Sequence, residues 1–527
     1  MSVEVLPSQE KFNNAVLMQR SGDLEGAKEL ISLMPNDPNS YNSLALIYES
    51  KHDYQNAFEY YKKAIEVDNK FDKAYNNIGV LLYRQGRYKD SIFVLESCLD
   101  QVGDSIQTLC NIGAVYNKAK RYEDAQRVLQ KAISLDPNAV GAYVNLGNVY
   151  NKVHKHLNAL ACHTKALEFD SKSAANYANI AITYKHLGRY EEAIKNFKKA
   201  IQINPNFTNA HFDLATTYLL LGDYKSGLQE YEWRFKKEEM QSLLRDYAFI
   251  FEKPKFSLDL ETKDKTLLLY TEQGFGDMIQ FIRFAKPIKE KFKDLKIKVH
   301  CRKELKTLFS QLPFVDEVIS RGEEIGHFDY QYAVMSLPFL LDLRLEDICA
   351  DAYIDAQEKM ELNLHPYKYN IGLVWGGSIT GESYPQKTFS PASFSPLFGH
   401  EDISLYSLQV GEQDIKVLKD LDLQEDQVID LSDKLNDFAK TASVIKDLDL
   451  VITSDTAVAH LAGGMGKEVW ILLMQKADWR WGLESSSTKW YKNARLFRQE
   501  HQGNWDNVFE DIFTALEEKY SIKIDRD

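Results

Sequence analysis

Two short stretches and one lysine carry residues whose types and spacing suit work on a phosphate or a sugar. In the first, Asp455-Thr-Ala-Val-Ala-His460 follows directly on the apolar run Leu450–Ile452. That pattern reads as a buried strand running into a helix, with Asp455 and Thr456 at the N-cap. A helix that starts at the carboxyl end of a parallel strand turns its unbonded N–H groups and positive dipole end into the sheet crevice. It is therefore an anion site, most often for phosphate. His460, one turn in, would add a donor. Ala457, Ala459, Ala462, Gly463 and Gly464 keep the helix thin, which predicts a close approach to its backbone. An ordinary βα corner with a satisfied histidine is the competing account of the same residues.

The second stretch is Thr271-Glu-Gln-Gly-Phe-Gly-Asp277, after the apolar run Leu267–Tyr270. Gly274 and Gly276 allow a tight turn and close approach of a ligand, and Asp277 is expected to project from it into the cleft or, alternatively, to serve only as a cap. A third glycine and the acidic residue of a dinucleotide fingerprint are missing, and no phosphate-binding GxxxxGK[ST] loop occurs. Further on, Gly376, Gly377 and Ser378 end the strand Ile371–Trp375. Lys387, at the start of the next expected helix, would neutralise a leaving phosphate or else be a solvated loop lysine. Trp479-Arg-Trp481 and Trp490-Tyr491 form an aromatic loop suited to a base, a sugar or an interior.

These residues need a scaffold of alternating strands and helices. Strands are expected at Leu267–Tyr270, Lys296–His300, Val315–Ser320 and Asp329–Val334. Helices are expected at Met278–Lys291, kinked at Pro287, and at Lys303–Gln311 and Leu337–Leu343. After a linker at about Asp351–Tyr369 the pattern restarts with strands Ile371–Trp375, Ile403–Gln409, Val428–Asp430, Leu450–Ile452 and Val469–Leu473. Helices are expected at Asp437–Lys446 and Phe509–Tyr520. Strands alternating with helices imply parallel, doubly wound sheets, here in two halves with a cleft at facing carboxyl ends.

The N-terminal part follows another rule. Tyr41, Tyr75, Leu109, Tyr143, Tyr177 and His211 recur every 34 residues. Leu44, Ile78, Ile112, Leu146, Ile180 and Leu214 recur three places later. Small residues stand at Ala57, Ser91, Ala125, Ala159, Ala193 and Gly227. This is the tetratricopeptide pattern of two helices per unit. An offset unit with Ala15, Met18, Gly22, Leu24, Ala27 and Ile31 is expected to cap it, for about seven units in all. Asn77, Asn111, Asn145 and Asn179 share one position on the first helix of successive units. Such a ladder would hold an extended polypeptide by its backbone, or it is simply a common filler at that position.

The expected organisation is therefore an all-α TPR superhelix over 1–240 and a junction over 241–265. Two Rossmann-like α/β halves follow, an acceptor-side half over 266–360 and a nucleotide-sugar half over 361–527. The net charge of −13 argues against a broad nucleic-acid surface. No apolar run approaches the roughly 20 residues of a membrane span. The start, Met1–Pro7, lacks a signal-peptide pattern, and the five cysteines have no metal spacing. A reduced, cytoplasmic protein is expected, with no metal and no cofactor.

From about Thr266 to Gln499 the chain resembles the heptosyltransferase-like branch of the GT-B glycosyltransferases. The carrying motifs are Glu272-Gln-Gly-Phe-Gly-Asp277, Val374-Trp-Gly-Gly-Ser378, Lys387-Thr-Phe389 and Asp455-Thr-Ala-Val-Ala-His-Leu-Ala-Gly463. Behind a TPR array, the layout is similar to O-GlcNAc transferase and to bacterial TPR-containing glycosyltransferases, including those that modify flagellin. The resemblance implies an inverting, metal-independent transfer from a nucleotide-sugar to Ser/Thr hydroxyls of a protein. It implies Asp277 as base and Lys387 facing the leaving group. It implies donor contacts from Gly274, Gly276, Trp375, Gly376, Gly377, Ser378, Ser454, Asp455, Thr456, Ala457 and His460. The asparagines 77, 111, 145 and 179 would face the acceptor. Ala457 stands where heptosyltransferases usually have glycine, so ADP-heptose is not carried over. Flagellin as acceptor and a CMP-activated nonulosonic acid as donor rest on the same resemblance. A TPR scaffold with a degenerate transferase domain is the alternative.

Overall fold

The computed structural model describes residues 14, 18 and 23–526, apart from 33–36, 239, 242–244, 246, 358–359, 361, 363, 378–383 and 425. The chain divides into two compact units, Met1–Ala210 and His211–Asp527.

The first unit is built of antiparallel helix pairs at the predicted rhythm. Asp72–Arg84 pairs with Tyr88–Val102, Ile106–Lys118 with Tyr122–Leu135, Val140–Lys152 with His156–Phe169, and Ala174–His186 with Tyr190–Ile203. The glycine in the first helix of three units is needed for the crossing. A Cβ on Gly79 would lie 2.6 Å from Leu95 Cδ2, and one on Gly113 would lie 2.6 Å from Leu129 Cγ. On Gly147 it would lie 2.5 Å from His163 Cε1. Tyr61, Leu95, Leu129, His163 and Phe197 are the matching large residues of successive units, each 0% exposed.

His163 is thus an imidazole in a leucine's place. Neither ring nitrogen has a hydrogen-bond partner, and burial lowers its pKa to about 4. The native state keeps the ring neutral, so this position is at full stability above the ordinary histidine pKa of about 6.5. It loses stability as the pH falls from there towards about 4, by about 3 kcal/mol. His163→Leu is expected to remove that acid-side loss and to add about 1–2 kcal/mol at neutral pH, because no buried nitrogen is left unsatisfied. Urea unfolding followed by far-UV circular dichroism at about pH 7 and about pH 4.5 checks both effects. A wild-type and variant difference that does not widen at the lower pH would disprove the assignment.

The second unit holds two all-parallel sheets. The first has strands β1 (Thr266–Tyr270), β2 (Lys296–Cys301), β3 (Glu317–Ser320) and β4 (Tyr330–Ala333) in the order β3-β2-β1-β4. The other comprises β5 (Tyr369–Val374), β6 (Ile403–Ser407), β7 (Ile429–Asp430), β8 (Leu450–Ser454), β9 (Val469–Leu473) and β10 (Ala494–Arg498). Its order is β10-β9-β8-β5-β6-β7. The order reverses between β8 and β5, which makes the carboxyl ends of those two strands a topological switch point. β10 and the helix Glu412–Lys419 were not anticipated from the sequence. The long helix expected to kink at Pro287 breaks earlier, at the short 3₁₀ turn Ile282–Phe284. Pro287 then falls in the first turn of Ala285–Lys291, where a missing N–H costs little.

The repeat rhythm runs on into the helices Thr208–Leu220 and Tyr224–Tyr231, yet from His211 these residues belong to the second unit. Packing explains it: Tyr224, Leu228 and Tyr231 are buried in one cluster with Met278, Phe281, Trp479 and Trp490. The segment before β1 is likewise built in, since the Phe256 N–H donates to the carbonyl of Gln331 in β4 at 3.0 Å. Closing the chain, Asp506–Tyr520 lays Phe509, Ile512, Phe513 and Leu516 on the face of β5 formed by Ile371 and Leu373.

Candidate functional site

A cleft of about 1090 Å³ lies within the second unit. Its walls come from the turn after β1, the ends of β5 and β6, the turn after β8, and the segment after β9. Gly274, Gly276, Asp277, Gly376, Gly377, Lys387, Asp455, Thr456, Ala457 and His460 all line it. These ten sequence-expected residues, drawn from both halves, are thereby brought to one place.

Asp277 is the third residue of the helix Phe275–Phe281. Its Oδ2 accepts from the Gly274 N–H at 3.2 Å, which holds the carboxylate at the helix start. Its Oδ1 accepts from Arg480 Nη2 at 2.5 Å. Arg480 in turn donates Nη1 to Asp478 Oδ1 and Nε to Gln280 Oε1, each at 2.7 Å, and lies over the Trp479 ring. Burial in the cleft raises the Asp277 pKa above the ordinary carboxylate value, and the Arg480 guanidinium offsets part of that rise. Sequence reasoning treated Trp479-Arg-Trp481 as an aromatic loop and missed Arg480. The signal was there, because a lone arginine between two tryptophans needs a carboxylate to be buried.

Lys387 closes the single turn Tyr384–Lys387 rather than opening a helix. Its Nζ lies 2.6 Å from Asp455 Oδ2. Burial pulls the Lys387 ammonium down, but Asp455 more than offsets this and the net shift is upward. Asp455 is therefore spent on Lys387 and does not cap the helix. The N-cap of Ala457–Gly464 is Thr456, which makes no side-chain cap hydrogen bond, so Ala457 and Val458 present the helix start to the cleft. The Thr456 hydroxyl is instead 2.9 Å from Thr453 Oγ1.

Several expected donor contacts serve packing. Trp375 is 1% exposed, belongs to the core that carries Phe509, and does not line the cleft. Ser454 is fully buried at the end of β8 and does not line it either. The N–H groups of Trp375 and Gly376 both donate to Gln409 Oε1 at 3.0 Å, so the Gly376 amide is taken. Gly276 lets two helices cross, since a Cβ there would lie 2.7 Å from His460 Cδ2. The thin face of Ala457–Gly464 is covered by protein: Tyr491 packs on Gly463, and Tyr353 on Gly464. His460 is 5% exposed, with Nδ1 2.8 Å from Tyr491 Oη and its ring stacked on Trp481. Burial, reinforced by Arg480, holds its pKa well below the ordinary value, so the ring is neutral at neutral pH. The aromatic residues Trp479, Trp481, Trp490 and Tyr491 are interior, and of these Trp479 also reaches the cleft wall. Ser378 lies outside the described residues.

In the first unit the four asparagines are half-buried, and three of them are engaged between repeats. Asn77 Nδ2 donates to Asn42 Oδ1 at 2.8 Å, Asn111 Nδ2 to Asn76 Oδ1 at 2.8 Å, and Asn145 Nδ2 to the Cys110 carbonyl at 3.0 Å. The carbonyl of Asn179 accepts from Thr183 Oγ1 at 2.8 Å. For the first three, one amide hydrogen stitches a repeat to the preceding one.

The family profile described as tetratricopeptide repeat matches residues 36–101 and 70–138, and one described as TPR repeat matches 183–222. The chain carries tetratricopeptide repeats. They make the repeat array a protein-interaction scaffold. No curated protein matches the chain. Among solved structures, PilF from Pseudomonas aeruginosa is 18% identical over 38% of this chain and 92% of its own, with a TM-score of 0.33. A tetratricopeptide repeat protein from Parabacteroides merdae is 16% identical over 45% of this chain and 97% of its own, with a TM-score of 0.39. A thermophilic TPR protein from Thermus thermophilus is 16% identical over 34% of this chain and 99% of its own, with a TM-score of 0.32. Among the described residues no helix is long and apolar enough to cross a membrane, and no cluster of metal-ligating side chains occurs.

Proposed function

We propose that the second unit is a GT-B-like glycosyltransferase that moves a sugar from a nucleotide-sugar to Ser/Thr hydroxyls of a protein held by the repeat array. The single observation that carries this reading is convergence. Asp277, Lys387 and the Thr456–Ala457 helix start come from three distant segments and line one cleft at the carboxyl ends of parallel strands. In the reaction, an acceptor hydroxyl oxygen attacks the anomeric carbon from the face opposite the phosphate, and its proton passes to the Asp277 carboxylate. The bond from anomeric carbon to phosphate oxygen breaks with its electrons going to that oxygen. The helix start and Lys387 stabilise the charge that develops there. Transfer is inverting and uses no metal. Flagellin is the acceptor class, and a CMP-linked nonulosonic acid the donor class, that the sequence resemblance favours.

The test is the unfolding temperature of the full chain against CMP, UDP, GDP and ADP, with Lys387→Ala beside the wild type. One nucleotide is expected to stabilise the wild type by about 2–3 kcal/mol at roughly 100 times its Kd, and the variant much less. No shift with any of the four overturns the reading and leaves a repeat scaffold with an inactive α/β unit.

A further inference from the structure

Among the described lining residues the cleft has two cations, Lys387 and Arg480, and each is already closed on a carboxylate. Lys387 is held by Asp455 at 2.6 Å, while Arg480 bridges Asp277 at 2.5 Å and Asp478 at 2.7 Å. A phosphate-bearing ligand entering here meets, in these two clusters, three carboxylates and no unengaged cation, and Glu304, Glu412, Asp414 and Asp437 line the same cleft. Burying that anion beside Asp277 and Asp455 with both pairs intact costs desolvation that the helix start at Ala457 and an already paired Lys387 offset only in part. Exchange of partners removes the cost. The geometry favours exchange at one atom. The Nη1 and Nε of Arg480 are fixed by Asp478 and Gln280, and the guanidinium is supported on the Trp479 ring. Nη2 is committed to Asp277 alone, and Asp277 keeps its second anchor, the Gly274 N–H, when Nη2 leaves.

Resting on the transferase reading of this cleft, we infer that Arg480 is a positioning residue that trades Asp277 for the phosphates of the bound nucleotide, so that Asp277 is released as a base only when the donor site is filled. Around Asp277 stand Arg480 and Asp478 from the segment after β9, Asp455 from the turn after β8, and Glu272 and Tyr231. Arg480 opposes the rise that burial imposes on the Asp277 pKa, so its departure leaves a more basic carboxylate where the acceptor proton must go.

The test is calorimetric binding to the full chain of whichever of CMP, UDP, GDP and ADP it takes, in a double-mutant cycle of Asp277→Asn and Arg480→Gln. Asp277→Asn is expected to tighten nucleotide binding about tenfold with Arg480 present, and by less than about twofold in the Arg480→Gln background. Equal gains in both backgrounds mean simple charge repulsion and overturn the exchange. Failure of the wild type to bind any of the four overturns the transferase reading itself, and the inference with it. A crystal structure of the wild-type chain with its nucleotide needs no variant. Arg480 on a phosphate oxygen, with Asp277 out of hydrogen-bond reach, is expected. An intact Asp277–Arg480 pair beside a bound nucleotide overturns the exchange and leaves the donor site standing.

Discussion

Asp277→Asn is expected to lower the turnover number for transfer by about 10²–10⁴, the range for loss of a positioned general base. The substitution is close to isosteric. An asparagine oxygen can still accept from the Gly274 N–H and from Arg480, so the helix start and the Arg480 bridge are kept while basicity is lost. The loss should therefore fall on the chemical step, while nucleotide affinity improves about tenfold because a neutral amide holds Arg480 less tightly than the carboxylate does. The wild-type rate should fall on the acid side as Asp277 takes up a proton. Because burial raises this carboxyl above its ordinary value, the fall should begin at higher pH than for a free aspartate, and the variant should lack it. Steady-state release of nucleotide from the donor, measured against pH, reads both effects. A variant that stays within tenfold of the wild type would remove Asp277 from the role of base.

The largest expected effect on stability lies at Arg234, which is 1% exposed. Its Nη2 donates to Glu272 Oε1 and to Ser336 Oγ, each at 2.7 Å, and its Nη1 donates to Glu232 Oε1 at 2.7 Å. Glu272 follows β1 and Ser336 follows β4, so the guanidinium ties the ends of two neighbouring strands to the segment after Tyr224–Tyr231. Glu272 has a side chain that is 0% exposed. Arg234→Met leaves that carboxyl buried without its cation and is expected to cost about 3–5 kcal/mol. The double variant Arg234→Met, Glu272→Met should recover much of this, because no uncompensated charge remains. All seven tryptophans fall between Trp233 and Trp505, so tryptophan fluorescence during denaturation reports the second unit alone. A double variant as unstable as the single one would show that hydrogen-bond geometry, not stranded charge, sets the cost.

Much of the architecture was legible because it repeats or alternates. A 34-residue period places Gly79, Gly113 and Gly147 opposite large residues one helix away, and such contacts are local enough to read from spacing. Most strands of both sheets were visible as short apolar runs. β10 was not, because its Arg495 and Arg498 break the apolar pattern of Ala494–Arg498. Of the candidate site, the turn at Asp277 and the strand-to-helix step at Asp455 were legible because strand ends followed by glycines or N-cap residues have a local signature.

What each of those residues touches was decided only in three dimensions. Gly276 and Gly463 look alike in sequence to glycines that admit a ligand, yet one is filled by His460 and the other by Tyr491. Asp455 has the form of a cap and is a lysine's counter-ion. Arg480 meets Asp277 from 203 residues away, and nothing in the local pattern of either residue names the other. The physical reason is range. Periodicity and capping are set within one or two turns of chain, so the residues themselves determined the repeat array, the parallel strands and the turns that face a cleft. Ion pairing and helix crossing depend on which distant segments the strand order brings together, so the tertiary structure alone decided which charges are spent on each other and which surfaces are left to a ligand.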